Sequence, residues 1–425
     1  MQSKPPNGGG SSWRPILDGA LRERAFEVVH AIADSLRGSY LDRVQYASLG
    51  GGHAGLAILY AYLDLAQPEE DYDETAVQFL QRAINALSAS AMWPSLYGGF
   101  TGIAWAVEHL KGRLIDPEDE GTNEEIDEAL KEYVSHSPWN DDYDLINGLV
   151  GFGVYALERK PASASAIACL ERIVERLNET AERNADGVTW LTRPYLLSEW
   201  ERKQCPDGYY NLGLAHGVPG VVALLGGVCA AGVAVEQARS LLDGAVVWLL
   251  RQRRGDGALS SFSHRTAEIE EDDCRLAWCY GDAGVAAALL VAARCVNEEE
   301  WEREALAIAT RAAAREPESA GVKDAGLCHG AAGLGHIFNR LFQATGEEVF
   351  REAARYWFER TIEMKLTGQG IAGFSVFMPG EDGTERWVDE PGLLMGAAGI
   401  ALALLAAVTD IEPQWDRMLL VSPSF

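Results

Sequence analysis

A Gly-x-x-Gly element recurs seven times along this 425-residue chain, and each copy opens a run of small and apolar residues. The copies begin at Gly52, Gly99, Gly148, Gly217, Gly281, Gly330 and Gly396, at intervals from the high forties to the high sixties. Repetition of this kind decides architecture, because a single unit cannot bury its apolar face alone and must stack on its neighbours. The runs after the glycines, such as GHAGLAILYAYL at 52–63 and GAAGIALALL at 396–405, predict mostly buried helices. Between them, segments 73–88, 163–183, 235–254, 301–315 and 347–365 carry apolar residues at three- and four-residue steps with charges between, as helices with one wet face do. Each unit thus pairs a buried helix with an amphipathic one. Seven such hairpins close into a double ring, so the expected fold is all-α, an α/α toroid with loop insertions. The glycine pair falls at the start of each inner helix, where small residues let backbones crowd around an axis and free amides face a cavity. Strand signals are few; segments 257–264 and 373–378 read as hairpin or loop edges.

Two intervals are longer than the basic unit. Residues 184–210 are rich in Trp, Pro, Tyr and charge, and 366–388 in Gly, Phe and Trp. Long loops inside a compact domain are often functional, and both are read as insertions that either shape a substrate cleft or decorate the surface. Residues 1–14 have no apolar signal core and read as a disordered leader, which leaves 15–425 as one toroidal domain.

Acidic residues outnumber basic ones 63 to 36, for a net charge of −27. That balance repels phosphate backbones and anionic bilayers, and it steers neutral or basic peptides favourably. Nucleic acid is therefore not an expected partner. Two uncharged runs, 212–235 and 391–409, have the length of a membrane span. Neither has a basic flank with aromatic anchors, and the first holds His216, Pro219 and several glycines, so both read as buried helices. Seven scattered cysteines form no disulfide framework, which fits a reducing cytoplasm.

Four units carry unusual polar residues beside their glycines. Asp144 stands four residues before Gly148, His216 directly before Gly217, Arg275 and Cys279 before Gly281, and Cys328 and His329 before Gly330. In a closed ring, equivalent positions face the same rim, so residues far apart in sequence converge. An isolated cysteine or histidine is usually structural, and Cys169, Cys229 and Cys295, inside apolar helical runs, are read as core. Cys205, Cys274, His109, His136, His264 and His336 have no convergent context. His53 is out of register with His216 and reads as a structural or rim histidine, and the acidic run 268–273 as a solvated loop. Cys279 and Cys328 differ in kind, since both stand two residues before their unit's first glycine. With His329 they make a soft, borderline donor set suited to zinc, and three protein ligands leave a fourth position open.

At these residues the chain resembles the lanthionine synthetase C-like family. The likeness rests on DLINGLVG (144–151), GLAHGVPG (213–220), WCYG (278–281) and CHGAAG (328–333), with the glycine repeats extending it from about residue 50 to about residue 405. It implies a toroid with one zinc held by Cys279, Cys328 and His329, with His216 and Asp144 in proton transfer and Arg275 nearby. It also implies a stand-alone cyclase acting on a dehydrated precursor peptide, with a dehydratase as a further partner. In such a reaction a peptide Cys adds to dehydroalanine or dehydrobutyrine to close a thioether ring. The zinc holds the thiol as thiolate, His216 serves as general acid, and Arg275 stabilises developing charge. One departure is Asp282, which stands where Gly or Ser is common and adds a negative charge close to the metal. The same residues fit intermolecular addition of a glutathione-type thiol, or a peptide-binding scaffold with structural zinc. The latter requires a fourth protein ligand, for which no cysteine stands in register. An α/α-barrel glycosidase or terpenoid cyclase requires paired carboxylates or Asp-rich motifs, which are absent from the register.

Overall fold

The computed structural model describes residues 13–422 except 41, 90, 117–122, 160–162, 256, 267–272 and 380–383. Seven helices form an inner ring: α2 (His53–Ala66), α4 (Phe100–His109), α6 (Leu149–Arg159), α9 (Val218–Ala230), α11 (Asp282–Val296), α13 (Ala331–Thr345) and α15 (Ala397–Val408). Each packs against the next, and α15 returns to α2. Their composition explains the position. Every residue of α15 is buried, and so is all of α11 from Asp282 to Ala293; a helix apolar on all sides has no wet face to offer.

Seven further helices form the outer ring: α1 (Gly19–Ser39), α3 (Tyr72–Ala89), α5 (Glu124–Val134), α7 (Ala164–Thr180), α10 (Val235–Arg251), α12 (Glu299–Ala313) and α14 (Glu348–Glu363). They bury one stripe only; on α12 this is Ala305, Ile308, Ala309 and Ala312. Helix α1 packs on α15 and α14, so the start of the chain supplies the outer helix of the last unit. Trp13 fixes that closure. It is buried, and its indole Nε1 donates to the Ala406 carbonyl (2.8 Å), while the Ile16 amide donates to Ala407 (2.9 Å). The expected leader thus lies outside the described residues as far as 12, while Trp13, within its expected bounds, is packed.

The glycine pairs have a steric cause. The loop before each inner helix folds back over the helix start, so a Cβ on the second glycine would strike the carbonyl oxygen six residues earlier. At Gly220 that atom is Leu214 O, at Gly151 Leu145 O. All seven loops are joined into a belt by six backbone hydrogen bonds, made two residues before the first glycine in every unit but the third, where Leu145 stands three before. Gly50 donates to Tyr97 (2.9 Å), Leu145 to Ala215 (3.1 Å), Ala215 to Cys279 (3.3 Å), Cys279 to Cys328 (3.2 Å), Cys328 to Leu394 (2.9 Å) and Leu394 to Gly50 (2.9 Å).

Strands are minor. In the first insertion, β1 (Glu182–Asn184) pairs with β2 (Gly187–Thr189), and β3 (Leu191–Thr192) with β4 (Tyr209–Tyr210). A short helix, α8 (Glu199–Gln204), lies between β3 and β4. The second insertion carries the hairpin β5 (Val376–Pro379) and β6 (Glu385–Val388). Segment 257–264 forms no strand, only an isolated bridge from Arg265 to Asn211. Both membrane-length runs resolve into short buried ring helices, and no described helix is long and apolar enough to cross a membrane.

The chain's end lies across the ring. Tyr97 of the second unit donates to Met418 O and Trp278 of the fifth to Leu419 O (both 2.8 Å), so segment 414–419 is held by residues of two distant units. Within it, buried Asp416 accepts from Arg340 Nε (2.6 Å) and stands 2.7 Å from His336 Nε2. Removing one partner of a buried charge pair strands the other. Asp416→Ala is therefore expected to cost about 3–5 kcal/mol, read as a lower midpoint of thermal unfolding; an unchanged midpoint would show the cluster to be dispensable.

Candidate metal centre

The belt decides what meets at the rim. The amides of Trp278 and Cys279 both donate to the Cys328 carbonyl (3.2 Å each), which sets the fifth loop directly against the sixth. The Sγ atoms of Cys279 and Cys328 and a ring nitrogen of His329 all lie within 4.8 Å of one another. Tetrahedral zinc with Zn–S bonds of about 2.3 Å holds two sulfurs roughly 3.8 Å apart, so the three donors fit that ion with small side-chain adjustments. A carboxylate stands behind the imidazole, Asp324 Oδ2 lying 3.5 Å from His329 Nε2. Asp324 is itself fixed, accepting from the Gly326 amide on Oδ1 and from the Phe377 amide on Oδ2 (3.0 Å each). Such an outer carboxylate orients a ligating histidine and selects its tautomer.

The metal-free electrostatics suit metal binding. Cys279 is held well below the usual thiol range, first by a hydrogen bond from Cys328 and, against burial, by His329 and Arg275. Cys328 is pushed up by that same bond, by burial and by the Cys279 charge. Burial opposes charge on His329, but hydrogen bonds to Asp324 and Cys279 raise it to about 9. These shifts favour charge on Cys279 and His329 and oppose it on Cys328, and a divalent cation would displace protons from the site.

The fourth loop brings His216 alongside. Its Nδ1 lies 2.6 Å from Asp144 Oδ2, and Asp144 Oδ1 accepts from the Asn147 amide (2.7 Å). The bonds from Leu145 to Ala215 and from Ala215 to Cys279 tie this pair to the cysteine loop. Burial lowers the His216 pKa, yet the hydrogen bond and charge of Asp144, with Cys279 and Asp142 adding, carry it above the ordinary value. Arg275 Nη2 stands 3.7 Å from Cys279 Sγ, and its buried Nε has no hydrogen-bond partner among the described residues. All six residues singled out from the sequence thus lie on one rim.

Other residues there were not anticipated. Tyr280 stacks near the His216 ring (centroids 6.1 Å apart) and accepts from Asn211 Nδ2 at its hydroxyl (3.1 Å). His264, which has no convergent context in the sequence, lies 5.2 Å from the Tyr280 ring. Burial, then the charge of Asp144, pushes Asp142 up to about 7. A register signal does exist for several of these. Tyr46, Trp93, Asp142, Asn211, Arg275, Asp324 and Glu390 each stand six residues before the first glycine of their unit. In the first two units that position presents exposed aromatic rings, Tyr46 at 70% and Trp93 at 77%.

Asp282 departs from expectation. It is buried at the start of α11, and its two carboxylate oxygens accept from the amides of Ser261 (2.8 Å) and Phe262 (3.1 Å). Its carboxylate fastens the 260–262 loop. His53 is structural as read, buried at the start of α2 against Phe79. Cys169 is buried, Cys229 and Cys295 are partly buried, and all seven cysteines are free. Most of the acidic run 268–273 lies outside the described residues.

Fold and site together define an α/α toroid with a Cys₂His candidate metal centre on one rim. The sequence profile of the lanthionine synthetase C-like protein family matches residues 43–420, and the chain belongs to that family. It is 25% identical over 342 residues to the nisin biosynthesis protein NisC of Lactococcus lactis subsp. lactis, across 74% of this chain and 79% of that protein. The solved structure of a nisin cyclase superposes with a TM-score of 0.74 at 20% identity, covering 94% of this chain and 97% of the other.

Two outcomes are expected from metal analysis. Cys279→Ala or Cys328→Ala should abolish tight zinc binding in purified protein; full retention of zinc would overturn the ligand assignment. Asp324→Asn should weaken zinc about 10–100-fold in chelator competition, and an unchanged affinity would remove Asp324 as the residue that orients His329.

Proposed function

We propose that this protein is a zinc-dependent cyclase that forms (methyl)lanthionine thioether rings in a dehydrated, ribosomally made peptide. The observation that carries the proposal is the convergence, on one rim, of the Cys279–Cys328–His329 donors with the His216–Asp144 pair and Arg275. Family membership and the relation to NisC support it. A peptide substrate also accords with the net charge of −27 and the exposed rings of Tyr46 and Trp93 on the same rim. The free cysteines accord with a reducing, cytoplasmic setting.

Zinc held by Cys279, Cys328 and His329 would supply Lewis acidity that keeps a substrate thiol as thiolate near neutral pH. The remaining work falls to the chain. Addition forms a bond between the peptide cysteine sulfur and the β-carbon of dehydroalanine or dehydrobutyrine, and the π electrons move toward the α-carbon and its carbonyl. Arg275 is positioned to stabilise that charge. His216, with Nδ1 tied to Asp144, delivers a proton to the α-carbon from its other nitrogen. Its raised pKa keeps a larger fraction of the acid form available near neutrality. Because the substrate must arrive already dehydrated, a dehydrating enzyme acts before this one.

The test is a synthetic peptide carrying one dehydroalanine and one cysteine, with ring closure followed as loss of the alkylatable thiol. Wild-type protein with zinc should close the ring, and failure to do so would contradict the reading. His216→Ala should retain zinc and slow closure about 10²–10⁴-fold; a wild-type rate would remove His216 as the acid. Asp144→Asn takes away the charge that raises the His216 pKa, so the acid form is lost at lower pH. The alkaline limb of the rate profile should move down in pH, and an unmoved limb would show that Asp144 does not tune His216.

A further inference from the structure

A cavity of about 440 Å³ opens beside the centre, between the sixth loop, the end of α14 and the second insertion. Apolar groups form most of its wall, with Met364, Leu366, Phe374 and Trp387 among them. Asp324, whose Oδ2 faces His329, also lines it. The opposite wall is organised by the β5–β6 hairpin. The Phe377 amide is bonded to Asp324, the Phe377 and Trp387 rings meet edge-on at 5.5 Å, and Lys323 Nζ caps the Phe377 ring at 4.1 Å. Lys323 is also paired with Glu385 (3.0 Å), so its charge is already answered. Leu366 and Trp387 remain 55% exposed although they border this space. A volume within the roughly 300–1,000 Å³ range of ligand sites, an apolar wall and two half-open apolar side chains describe an unfilled subsite.

We propose that this cavity is a specificity subsite that receives one bulky apolar or aromatic side chain of the peptide, adjacent in sequence to the reacting cysteine. The inference rests on the cyclase reading for the identity of the occupant. Continuity selects that occupant over a free small molecule, because Asp324, one of the residues lining the cavity, also stands against His329. A peptide bound through its thiol at the centre presents its neighbouring residue to this wall.

Two peptides test the subsite, each with one cysteine and one dehydroalanine, and with either Phe or Ala next to the cysteine; versions with Phe before and after the cysteine are both made. Wild-type protein should favour the Phe peptide in KM by about tenfold or more. Met364→Trp, which fills the space, should erase that preference while zinc content and kcat for the Ala peptide stay at wild-type values. Leu366→Ser, on the rim, should reduce it and serves if Met364→Trp fails to fold. Calorimetric titration of the same peptides with Ser in place of dehydroalanine reads binding without chemistry. A Phe preference in titration that Met364→Trp removes would uphold the subsite even if no ring forms. Normal ring closure with equal KM for Phe and Ala peptides, or a preference that survives in Met364→Trp, would overturn it.

Discussion

The rest of the structure depends on the belt of backbone hydrogen bonds that joins one inner-helix loop to the next. In five units one residue uses both its amide and its carbonyl on neighbours, while Tyr97 uses its carbonyl and Leu145 its amide, leaving the side chains there free to turn toward the rim. The glycine pairs make this possible, because any side chain would hold the folded-back loop off the helix start. In the fifth and sixth units the belt residues are cysteines, and the bond that joins those units is the one that brings the two sulfurs together. The scaffold and the candidate centre are thus held by one interaction, and ring closure by α1 and Trp13 keeps the belt from opening at its seam.

The rim is divided in its chemistry. Its third to sixth units carry Asp144, His216, Arg275, the two cysteines and His329, and its first two units carry exposed aromatic rings. The apolar cavity lies where the sixth loop meets the second insertion. Under the proposed function, a peptide crossing such a rim would meet apolar surface on either side of a charged centre. Burial matters to the reactivity as well. Asp144 is buried and His216 is 39% exposed at its side chain, so Asp144 acts on the imidazole through a medium less screening than water while the imidazole stays open to solvent.

Much of this was legible from residue order. The seven glycine pairs specified the number of hairpins and the start of every inner helix, and the coincidence of Cys279 with Cys328 and of His216 with His329 identified the converging residues. Other features were hidden for physical reasons. The position six residues before each first glycine holds Tyr, Trp, Asp, Asn, Arg, Asp and Glu, so it shares a place on the rim without sharing a chemistry, and no identity pattern marks Asp324 or Asn211. His264 reaches Tyr280 from a loop with no counterpart in the other units. Strands of two to four residues are too short to show alternation, which is why β1 to β4 escaped notice. Asp282 reads as a charge close to the metal because it replaces a small residue of the family pattern, whereas the first turn of α11 directs its carboxylate to the amides of Ser261 and Phe262.

The central claim is an incompletely coordinated zinc on the rim. X-ray absorption at the zinc edge of the purified protein tests it most directly. The account predicts two sulfur neighbours at about 2.3 Å and one imidazole nitrogen at about 2.0–2.1 Å with one light-atom ligand, and a third sulfur once a cysteine peptide is added. Absence of zinc, a fourth protein ligand, or a sulfur count that does not change with peptide would contradict it.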